Sequence, residues 1–319
     1  MIKYNYVIFH RKCLDGYTGF IILQNSGKID KHALIFPDVP SATTTPPNIN
    51  NKNVIIIDVA YKYTVLRDIM HRAKSVTFID HHITIHDDVK KLKQELGHTN
   101  KNIEIIYDEH KSGATLVWDY FYPKKSPPLF VQFIQDNDIG TWKLPNVLEF
   151  ITALSVKYPL TLKPEVFKMW KELYKTSNVK KLISLGKVYM EYKNYLADEH
   201  SKRISVERFP SQQIFDKFPN VFKSPGQYKV VVYNGSPCPS ATDVAKLVFK
   251  NIKCDFFISW VLNLDREDYV LTFRSMHVDV GQIAKLFNGG GHRLAAAGSI
   301  KMKNFNINDL FYGETLPRL

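Results

Sequence analysis

The chain has 319 residues, a length that favours two domains rather than one. Its composition, 45% hydrophobic and 13% aromatic, is typical of a globular protein. Its formal net charge of +12 favours phosphate-bearing partners, and its three cysteines are too few, and odd in number, for a disulfide framework. The first residues show no signal-peptide pattern, and no apolar stretch approaches the length that spans a membrane. We therefore expect a soluble, cytoplasmic protein with no membrane partner.

The first half of the chain alternates short apolar runs with amphipathic segments, the pattern of parallel α/β units. The predicted strands are Tyr6–Phe9, Val54–Asp58, Ser75–Ile79 and Ile103–Tyr107, and the predicted helices are Gly16–Asn25, Val65–Arg72 and Gly113–Phe121. In an open parallel sheet, ligands bind outside the carboxyl ends of the strands. The polar residues that follow these strands are therefore candidates for a functional site.

The second half predicts a change of domain. From Pro164 to Ile204 the apolar residues recur at helical spacing. Beyond them, the predicted strands are Lys229–Tyr233, Phe256–Leu262 and Tyr269–Phe273, and the predicted helices are Ala241–Lys250 and Val280–Phe287. We predict an α/β fold with a parallel-sheet domain over residues 1–190, a linker over 191–212 and a smaller α/β domain over 213–319.

Potential metal ligands follow three successive predicted strands. They are His10 and Asp15 after the first strand, Asp58 at the end of the second, and Asp80-His81-His82 after the third. A further acidic pair, Asp136 and Asp138, follows another apolar run. Singly, each aspartate would be a helix cap or a turn residue. Together, carboxylates and imidazoles suit Mn²⁺ or Mg²⁺-like ions, and the histidines favour Mn²⁺ or another transition metal. Two such ions a few ångströms apart would clamp a phosphoryl group and generate hydroxide.

A glycine-rich segment near the end of the chain has two readings. Residues 289–298 read Gly-Gly-Gly-His-Arg-Leu-Ala-Ala-Ala-Gly. Consecutive glycines occur where φ must be positive or where a ligand approaches the main chain closely, so the segment predicts a backbone pocket for phosphate. The neighbouring imidazole and guanidinium would then bind the anion. The alternative is a glycine-rich turn before an alanine-packed strand.

The order of these motifs resembles the DHH phosphoesterase family, named for its Asp-His-His motif. In the first domain the matching residues are His10, Cys13-Leu14-Asp15-Gly16, Ile57-Asp58, Asp80-His81-His82 and Gln135-Asp136. In the second domain, Leu271-Thr272-Phe273-Arg274-Ser275, Gly289-Gly290-Gly291-His292 and Ala296-Ala297-Gly298 resemble the family's DHH-associated C-terminal domain. The resemblance covers nearly the whole chain. It implies two lobes with the active site in the cleft between them, two Mn²⁺ ions with Mg²⁺ or Co²⁺ as alternatives, and hydrolysis of phosphoester bonds.

The resemblance also implies roles for individual residues. The implied metal ligands are His10 on one ion, Asp15 on the other, Asp58 on both, His81 and Asp136. His82 and Asp58 are the implied catalytic residues, with His82 facing the substrate phosphate or the leaving group, and Asp80 would orient its neighbours. The implied substrate-binding residues are Arg274, Ser275, Gly289, Gly290, Gly291 and His292. Hydroxide would attack phosphorus in line, and His82 or a water would supply the proton to the leaving oxygen.

Two positions leave alternatives open. The family's first motif carries two aspartates, and Cys13 occupies the first of these positions here. Cys13 is either a metal ligand, although a thiolate is soft and suits Mn²⁺ poorly, or a structural residue. Asp136 and Asp138 share one loop and only one of them needs to bind metal. Asp136 is the predicted ligand and Asp138 is the alternative.

The substrate is less well defined than the reaction. Family members with only these two domains resemble small oligoribonucleases and 3′-phosphoadenosine 5′-phosphate phosphatases, and relatives open cyclic or linear dinucleotides. Because no further nucleic-acid-binding domain is visible, we expect a short oligonucleotide or a dinucleotide. Trp142 is either a stacking platform for a base or a core residue. A monomer and a homodimer both remain open.

Two non-enzymatic functions remain as alternatives. If Cys13 abolished one metal site, the chain would be a nucleotide- or oligonucleotide-binding module with a degenerate metal centre. A basic surface could also associate with nucleic acid without any chemistry, and such binding would weaken steeply with salt. Metal-dependent hydrolysis that is lost in Asp58→Ala or His81→Ala would separate the enzyme from both alternatives.

Overall fold

The fold is known from a computed structural model that describes residues 3–40, 42–96, 102–235, 238–303 and 305–313. The chain divides between Met190 and Glu191 into two compact units. The first unit contains a parallel β-sheet with helices, and the second is a smaller α/β unit with its own sheet. This architecture confirms the predicted α/β class.

The sheet of the first unit, sheet A, has five strands among the described residues. They are β1 (Tyr4–His10), β2 (Ile29–Asp38), β3 (Asn53–Ile57), β4 (Ser75–Asp80) and β5 (Ile103–Tyr107). All pairs are parallel and the spatial order is β2-β1-β3-β4-β5. The sequence did not predict β2, because this edge strand carries charged and half-exposed residues in place of a continuous apolar run.

Helices bury both faces of sheet A. They are α1 (Leu14–Asn25), α2 (Tyr63–Arg72), α3 (His86–Leu96), α4 (Gly113–Phe121), α5 (Leu129–Asp138), α6 (Val147–Lys157), α7 (Pro164–Lys171) and α8 (Thr176–Ser201). Successive side chains of a strand point to opposite faces. Thus Ile55 and Ile57 of β3 belong to the core that includes α1 and α4, whereas Val54 and Ile56 belong to the core that includes α2 and α3. Burial on both faces explains why the central strands are continuous apolar runs.

The second unit is built on sheet B, which has six strands in the described part of the chain. They are β6 (Ile204–Phe209), β7 (Tyr228–Asn234), β8 (Phe256–Asn263), β9 (Asp268–Ser275), β10 (Gly290–His292) and β11 (Ala295–Lys301). The order is β10-β11-β9-β8-β7-β6, with β7 and β8 parallel and the other neighbours antiparallel. The unit also contains the helices α9 (Gln212–Lys217), α10 (Ala241–Asn251) and α11 (Val280–Lys285).

Residues 191–212, predicted as a linker, have regular structure. They comprise the end of α8, strand β6 and the first residue of α9. Strand β6 pairs along its whole length with β7. The polar residues Ser205, Glu207 and Arg208 interrupt its apolar pattern, which hid this edge strand from the sequence prediction. Within the described ranges, every helix is too short or too polar to cross a bilayer.

Candidate metal centre

The carboxyl ends of three parallel strands bring polar side chains to one edge of sheet A. His10 is the last residue of β1, Asp58 directly follows β3, and Asp80 is the last residue of β4. The register of the three strands aligns these ends across the sheet. His81 and His82 follow Asp80 in the next turn of the chain. Sheet topology alone therefore gathers residues that are far apart in the sequence.

Asp58 leaves its strand in a strained conformation. Its φ of 60° lies in the left-handed region, which residues other than glycine rarely adopt. Its N–H donates a hydrogen bond of 2.9 Å to the carbonyl oxygen of Ile79 on β4, which holds the backbone in place after the strand has ended. Backbone strain of this kind concentrates at functional sites. It points to Asp58 as the residue around which the site is organised.

Two groups of side chains share the Asp58 carboxylate, and the donor atoms within each group lie within 4.8 Å of one another. The first group contains His10, Asp58 and His82, and the second contains Asp15, Asp58 and His81. His10 Nδ1 lies 3.2 Å from Asp58 Oδ2, and His82 Nδ1 lies 3.6 Å from Asp58 Oδ1. His81 Nε2 lies 3.2 Å from Asp58 Oδ1 and 3.8 Å from Asp15 Oδ2. The structure thus brings together two sets of potential ligands that share one carboxylate.

The buried oxygens of these groups fit a divalent cation. Asp15 and Asp58 are each only 1% exposed. Asp15 Oδ2 and Asp58 Oδ1 accept no hydrogen bond from any described residue, although His81 Nε2 lies 3.2 Å from Asp58 Oδ1. A buried carboxylate oxygen with no partner is costly, and a cation between two such oxygens would remove that cost. Carboxylate oxygens together with imidazole nitrogens suit Mn²⁺ and similar ions.

The charges in the cluster shift one another's pKa values. Burial disfavours the charged form of Asp58, but the imidazoles of His10 and His81 lower its pKa to about 2. Burial raises the pKa of Asp15 well above its usual value, and the charges of Asp58 and Asp138 add to this effect. Burial also opposes protonation of His81, yet the carboxylates around it, Asp58 first, raise its pKa to about 9. In the metal-free protein, protons therefore balance charge that a cation would otherwise balance.

Two glycines allow the helices to approach the carboxylates. At Gly113, the first residue of α4, a Cβ would lie 2.9 Å from both Asp15 Oδ2 and Asp58 Cβ. At Gly16 in α1, a Cβ would lie 2.6 Å from His10 Cβ. The next N–H of α4, that of Ala114, donates to Asp15 Oδ1 at 3.1 Å, so the positive end of the helix faces this carboxylate.

Gly113 is a site residue that the sequence analysis missed. It follows the helix-capping residue Ser112, whose hydroxyl accepts a hydrogen bond from the N–H of Thr115. A glycine in the first turn of a capped helix, after a strand of a parallel sheet, is the signal that could have identified it.

Asp80 holds the two histidines that follow it. Its Oδ1 accepts the backbone N–H groups of His81 and His82 at 2.7 and 2.9 Å, and lies 2.8 Å from His82 Nδ1. Burial disfavours the charged form of His82, but the hydrogen bond with Asp80 raises its pKa. Asp80 thus fixes the direction of the His82 ring and favours a proton on Nδ1.

Asp136, the predicted ligand, and Asp138, the alternative, have different surroundings in the structure. Both oxygens of Asp136 are used by the loop that follows α5: they accept the hydroxyl of Thr141 and the N–H groups of Lys143 and Leu144 at 2.9 and 2.8 Å. Burial opposes the charge on Asp136, but these hydrogen bonds lower its pKa. Asp138 Oδ2 instead lies 3.3 Å from His81 Nε2. Asp138 therefore joins the cluster, and Asp136 organises the loop.

Cys13 lies beside the cluster but in neither of its two groups. It is the residue before α1, and its carbonyl oxygen accepts the N–H of Tyr17. Burial raises the pKa of the Cys13 thiol, and the charge of Asp58 raises it further. Because the thiolate is the form that binds metal, this environment favours the structural reading of Cys13.

Arg274 and Ser275 lie at the end of β9 in the second unit. Arg274 is half-buried, and its Nε and Nη1 donate to Thr242 Oγ1 and to the Phe273 carbonyl at 2.9 and 2.8 Å. Burial lowers the pKa of the Arg274 guanidinium. The Ser275 hydroxyl donates to the carbonyl of Asp255 and accepts the N–H of Val278. Ser275 therefore stabilises the turn after β9, which does not favour a substrate contact.

The glycine-rich segment forms a hairpin in which β10 pairs with β11. A Cβ at Gly289 would lie 2.0 Å from the carbonyl oxygen of Ala297, and Gly291 has a φ of 141°. Packing and backbone conformation therefore account for these two glycines. At Gly290 a Cβ would meet no described atom within 4 Å, and His292 is exposed. These two positions keep the predicted role of anion contacts open.

Comparison with known proteins gives a sequence relative but no family. No family model matches the chain. The uncharacterized protein R106 of Acanthamoeba polyphaga mimivirus is 31% identical over 250 residues, which cover 78% of this chain and 53% of R106. The chain thus spans about half the length of this curated relative.

The chain is similar to solved structures at low sequence identity. The pGpG-specific phosphodiesterase PggH of Vibrio cholerae is 15% identical, with 95% of each chain covered and a TM-score of 0.51. An exopolyphosphatase-related protein of Bacteroides fragilis is 13% identical, with 96% of this chain and 88% of that chain covered and a TM-score of 0.41. The likeness to PggH shows that the two-unit α/β fold occurs in a known phosphodiesterase.

Proposed function

We propose that the chain is a metal-dependent phosphodiesterase of the DHH type that hydrolyses short oligonucleotides or dinucleotides to mononucleotides. The observation that carries the proposal is the Asp58 carboxylate, which is buried and shared by two potential ligand groups. Two ions that share one carboxylate are suited to clamping both sides of an in-line displacement at phosphorus. Mn²⁺ is the proposed ion because the donors combine carboxylates and imidazoles.

Ions held by His10, Asp15, Asp58, His81 and Asp138 would supply positive charge to the phosphoryl oxygens and activate a water nucleophile. The chain's own groups would supply orientation and the proton. Asp80 holds His82 through Nδ1, so the other ring nitrogen of His82 can face substrate. From there it could donate a proton to the leaving oxygen.

The second unit would bind the non-reacting part of the substrate. Arg274 is fixed by two hydrogen bonds, so its guanidinium is pre-organised for a phosphate oxygen. His292 is exposed on β10 beside the open backbone of Gly290. Together these groups offer an anion contact that needs little ordering when the substrate binds.

Short substrates are proposed for two reasons. The motifs of the chain resemble those of enzymes that act on short oligonucleotides, and PggH, which shares the fold, is a phosphodiesterase specific for pGpG. A site for a dinucleotide must cleave one phosphodiester bond and must also bind a second group, either a phosphate or a base. The cluster around Asp58 would meet the first of these requirements.

The experiment is a hydrolysis panel with chelator-treated protein and added Mn²⁺. The panel contains RNA and DNA of two to five nucleotides, a longer single strand, cyclic dinucleotides, 3′-phosphoadenosine 5′-phosphate and pyrophosphate. We expect mononucleotide release from the shortest substrates, and a loss of roughly a hundredfold or more in Asp58→Asn. Asp119→Asn removes a carboxylate that pairs with Lys111 on the surface, and serves as the matched control.

Two outcomes would overturn the proposal. Equal turnover in wild type and Asp58→Asn would show that the cluster does not carry the reaction. Tight dinucleotide binding without hydrolysis under any divalent ion would identify the chain as a binding module instead.

A further inference from the structure

Trp142 has a large apolar side chain that is exposed to solvent. It is 58% exposed, whereas Trp118 and Trp170 are buried in the core of the first unit. Its φ of 44° lies in the left-handed region, which is uncommon for a bulky residue. The core role considered for this residue is therefore wrong. A strained backbone that presents an exposed aromatic ring favours a binding role.

The loop that carries Trp142 is fixed by a buried carboxylate. Asp136 accepts the Thr141 hydroxyl on one side of Trp142 and the N–H groups of Lys143 and Leu144 on the other. The Trp142 N–H donates to the Asp136 carbonyl at 3.3 Å. Asp136 is 6% exposed, so its charge is committed to this loop. The backbone that carries the ring is thereby held in a pre-organised position.

The loop lies next to the candidate metal centre. Asp138, whose Oδ2 is 3.3 Å from His81 Nε2, is two residues after Asp136 on the same helix. Two residues span at most about 7 Å, and the Trp142 N–H donates to the carbonyl oxygen of Asp136, so the loop begins close to the end of α5 that carries Asp138. Lys143, beside it, adds an exposed positive charge. An aromatic ring next to a cation is the combination that binds bases and their phosphates.

We propose that Trp142 is a stacking platform for a nucleobase of the substrate, held in place by Asp136. The inference rests on the proposed function and narrows it: the substrate is a phosphodiester that carries a base, and base-free phosphoesters are poor substrates. Because every base has a π-face, stacking on Trp142 gives affinity without strong preference among bases. Trp142 acts on binding, and the chemistry stays with the cluster around Asp58.

The test compares a dinucleotide with its abasic counterpart, in which the same sugar-phosphate backbone carries no bases. Trp142→Ala should raise KM for the dinucleotide by about 5- to 100-fold with little change in kcat, and Trp142→Phe should restore most of the affinity. The ratio of kcat/KM between the two substrates should fall in Trp142→Ala by a similar factor. Tyr192→Ala removes a ring that is 62% exposed and outside this loop, and should leave the ratio unchanged.

A binding measurement without metal or turnover accompanies the kinetics. Guanosine 5′-monophosphate should quench the tryptophan fluorescence of the chelator-treated wild type, and ribose 5-phosphate should not. The quench should disappear in Trp142→Phe, which retains the other tryptophans.

The outcomes separate this inference from the proposed function. If Trp142→Ala hydrolyses the dinucleotide with an unchanged KM and keeps the quench, stacking on Trp142 is excluded while the phosphodiesterase stands. If Asp58→Asn is fully active, the proposed function fails, yet the quench still tests the base contact. An equal loss on dinucleotide and abasic substrate would assign Trp142 to loop structure and overturn the inference.

Discussion

Asp136 and Asp138 lie two residues apart on α5, yet their surroundings differ. The oxygens of Asp136 accept three hydrogen bonds from the following loop, whereas Asp138 faces His81. A carboxylate satisfied by N–H and O–H groups has little capacity left for a cation, whereas one that faces an imidazole of the cluster retains it. At the scale of single residues, hydrogen-bond partners thus make Asp138 the better candidate for a metal ligand.

We therefore expect opposite results from two matched substitutions. Asp138→Asn should weaken Mn²⁺ binding by roughly tenfold or more, because it removes a charged ligand. Asp136→Asn should leave Mn²⁺ affinity nearly unchanged but lower the thermal midpoint, because it weakens the bonds that order the loop. Isothermal titration with Mn²⁺ and thermal unfolding of the metal-free proteins measure both effects. A larger loss of affinity in Asp136→Asn would reverse the assignment.

The shifted pKa of His81 predicts how stability depends on pH in the metal-free protein. Its folded value of about 9 lies above the unfolded value of about 6.5, so its contribution is fully present below pH 6.5 and is lost as pH rises through 9. The raised pKa of Asp15 acts in the same direction, since the folded state again holds the extra proton. Urea unfolding in chelator should show stability falling between pH 6.5 and 9.

The same experiment with saturating Mn²⁺ is the control. The cation would replace the protons of the cluster, so the fall in stability over this pH window should shrink. A wild type whose metal-free stability is flat from pH 6.5 to 9 would show that His81 does not gain a proton on folding.

Gly113 provides a test of close packing around the carboxylates. In Gly113→Ala the new methyl group would lie 2.9 Å from Asp15 Oδ2 and from Asp58 Cβ, so the N-terminus of α4 must move. We expect a loss of about 1–3 kcal/mol in the free energy of unfolding and weaker Mn²⁺ binding. Gly290→Ala, where a Cβ meets no described atom within 4 Å, should change neither quantity. Equal effects in the two variants would contradict the packing described here.

At the scale of secondary structure, the sequence predicted best the elements whose burial is uniform. β3 and β4 are central strands covered on both faces, and their apolar runs identify them directly. The edge strands β2 and β6 were not predicted, because charged residues interrupt their apolar pattern. The short strand β10 was not predicted because two of its three residues are glycine, which is uncommon in strands.

The candidate site was predictable to the extent that strand ends define it. His10 ends a parallel strand and Asp58 and His81 directly follow two others, and the carboxyl ends of such strands meet at one edge. Asp138 and Gly113 depend instead on loop hydrogen bonds and on a close helix approach. These are three-dimensional contacts that leave no periodic pattern in the chain.

Arg274, at the end of β9, allows a test of substrate binding by the second unit. Arg274→Gln should raise KM for a dinucleotide by about tenfold or more, because a charge-assisted contact to phosphate is lost, while Mn²⁺ affinity in the first unit stays the same. Arg266→Gln removes an exposed arginine that pairs with Asp268, and should have little effect. Steady-state kinetics and Mn²⁺ titration of both variants give the comparison. An unchanged KM in Arg274→Gln would remove this residue from the substrate site.

At the scale of the whole molecule, charge is distributed unequally between surface and site. The chain has 43 lysine and arginine residues against 31 acidic residues, yet Asp15, Asp58 and Asp80 are buried at one edge of sheet A. A basic molecule attracts a polyanionic substrate, whereas a buried acidic cluster attracts cations. A phosphodiesterase that depends on bound cations requires both properties.

The number of Mn²⁺ ions bound per chain, measured together with dinucleotide hydrolysis on the same chelator-treated protein, tests the central claim most directly. We predict two ions per chain in the wild type, hydrolysis that reaches its full rate only when both are bound, and loss of both ions' tight binding in Asp58→Asn, because this carboxylate is shared. Full hydrolysis by protein with no bound ion, or unaltered ion binding in Asp58→Asn, would contradict the account.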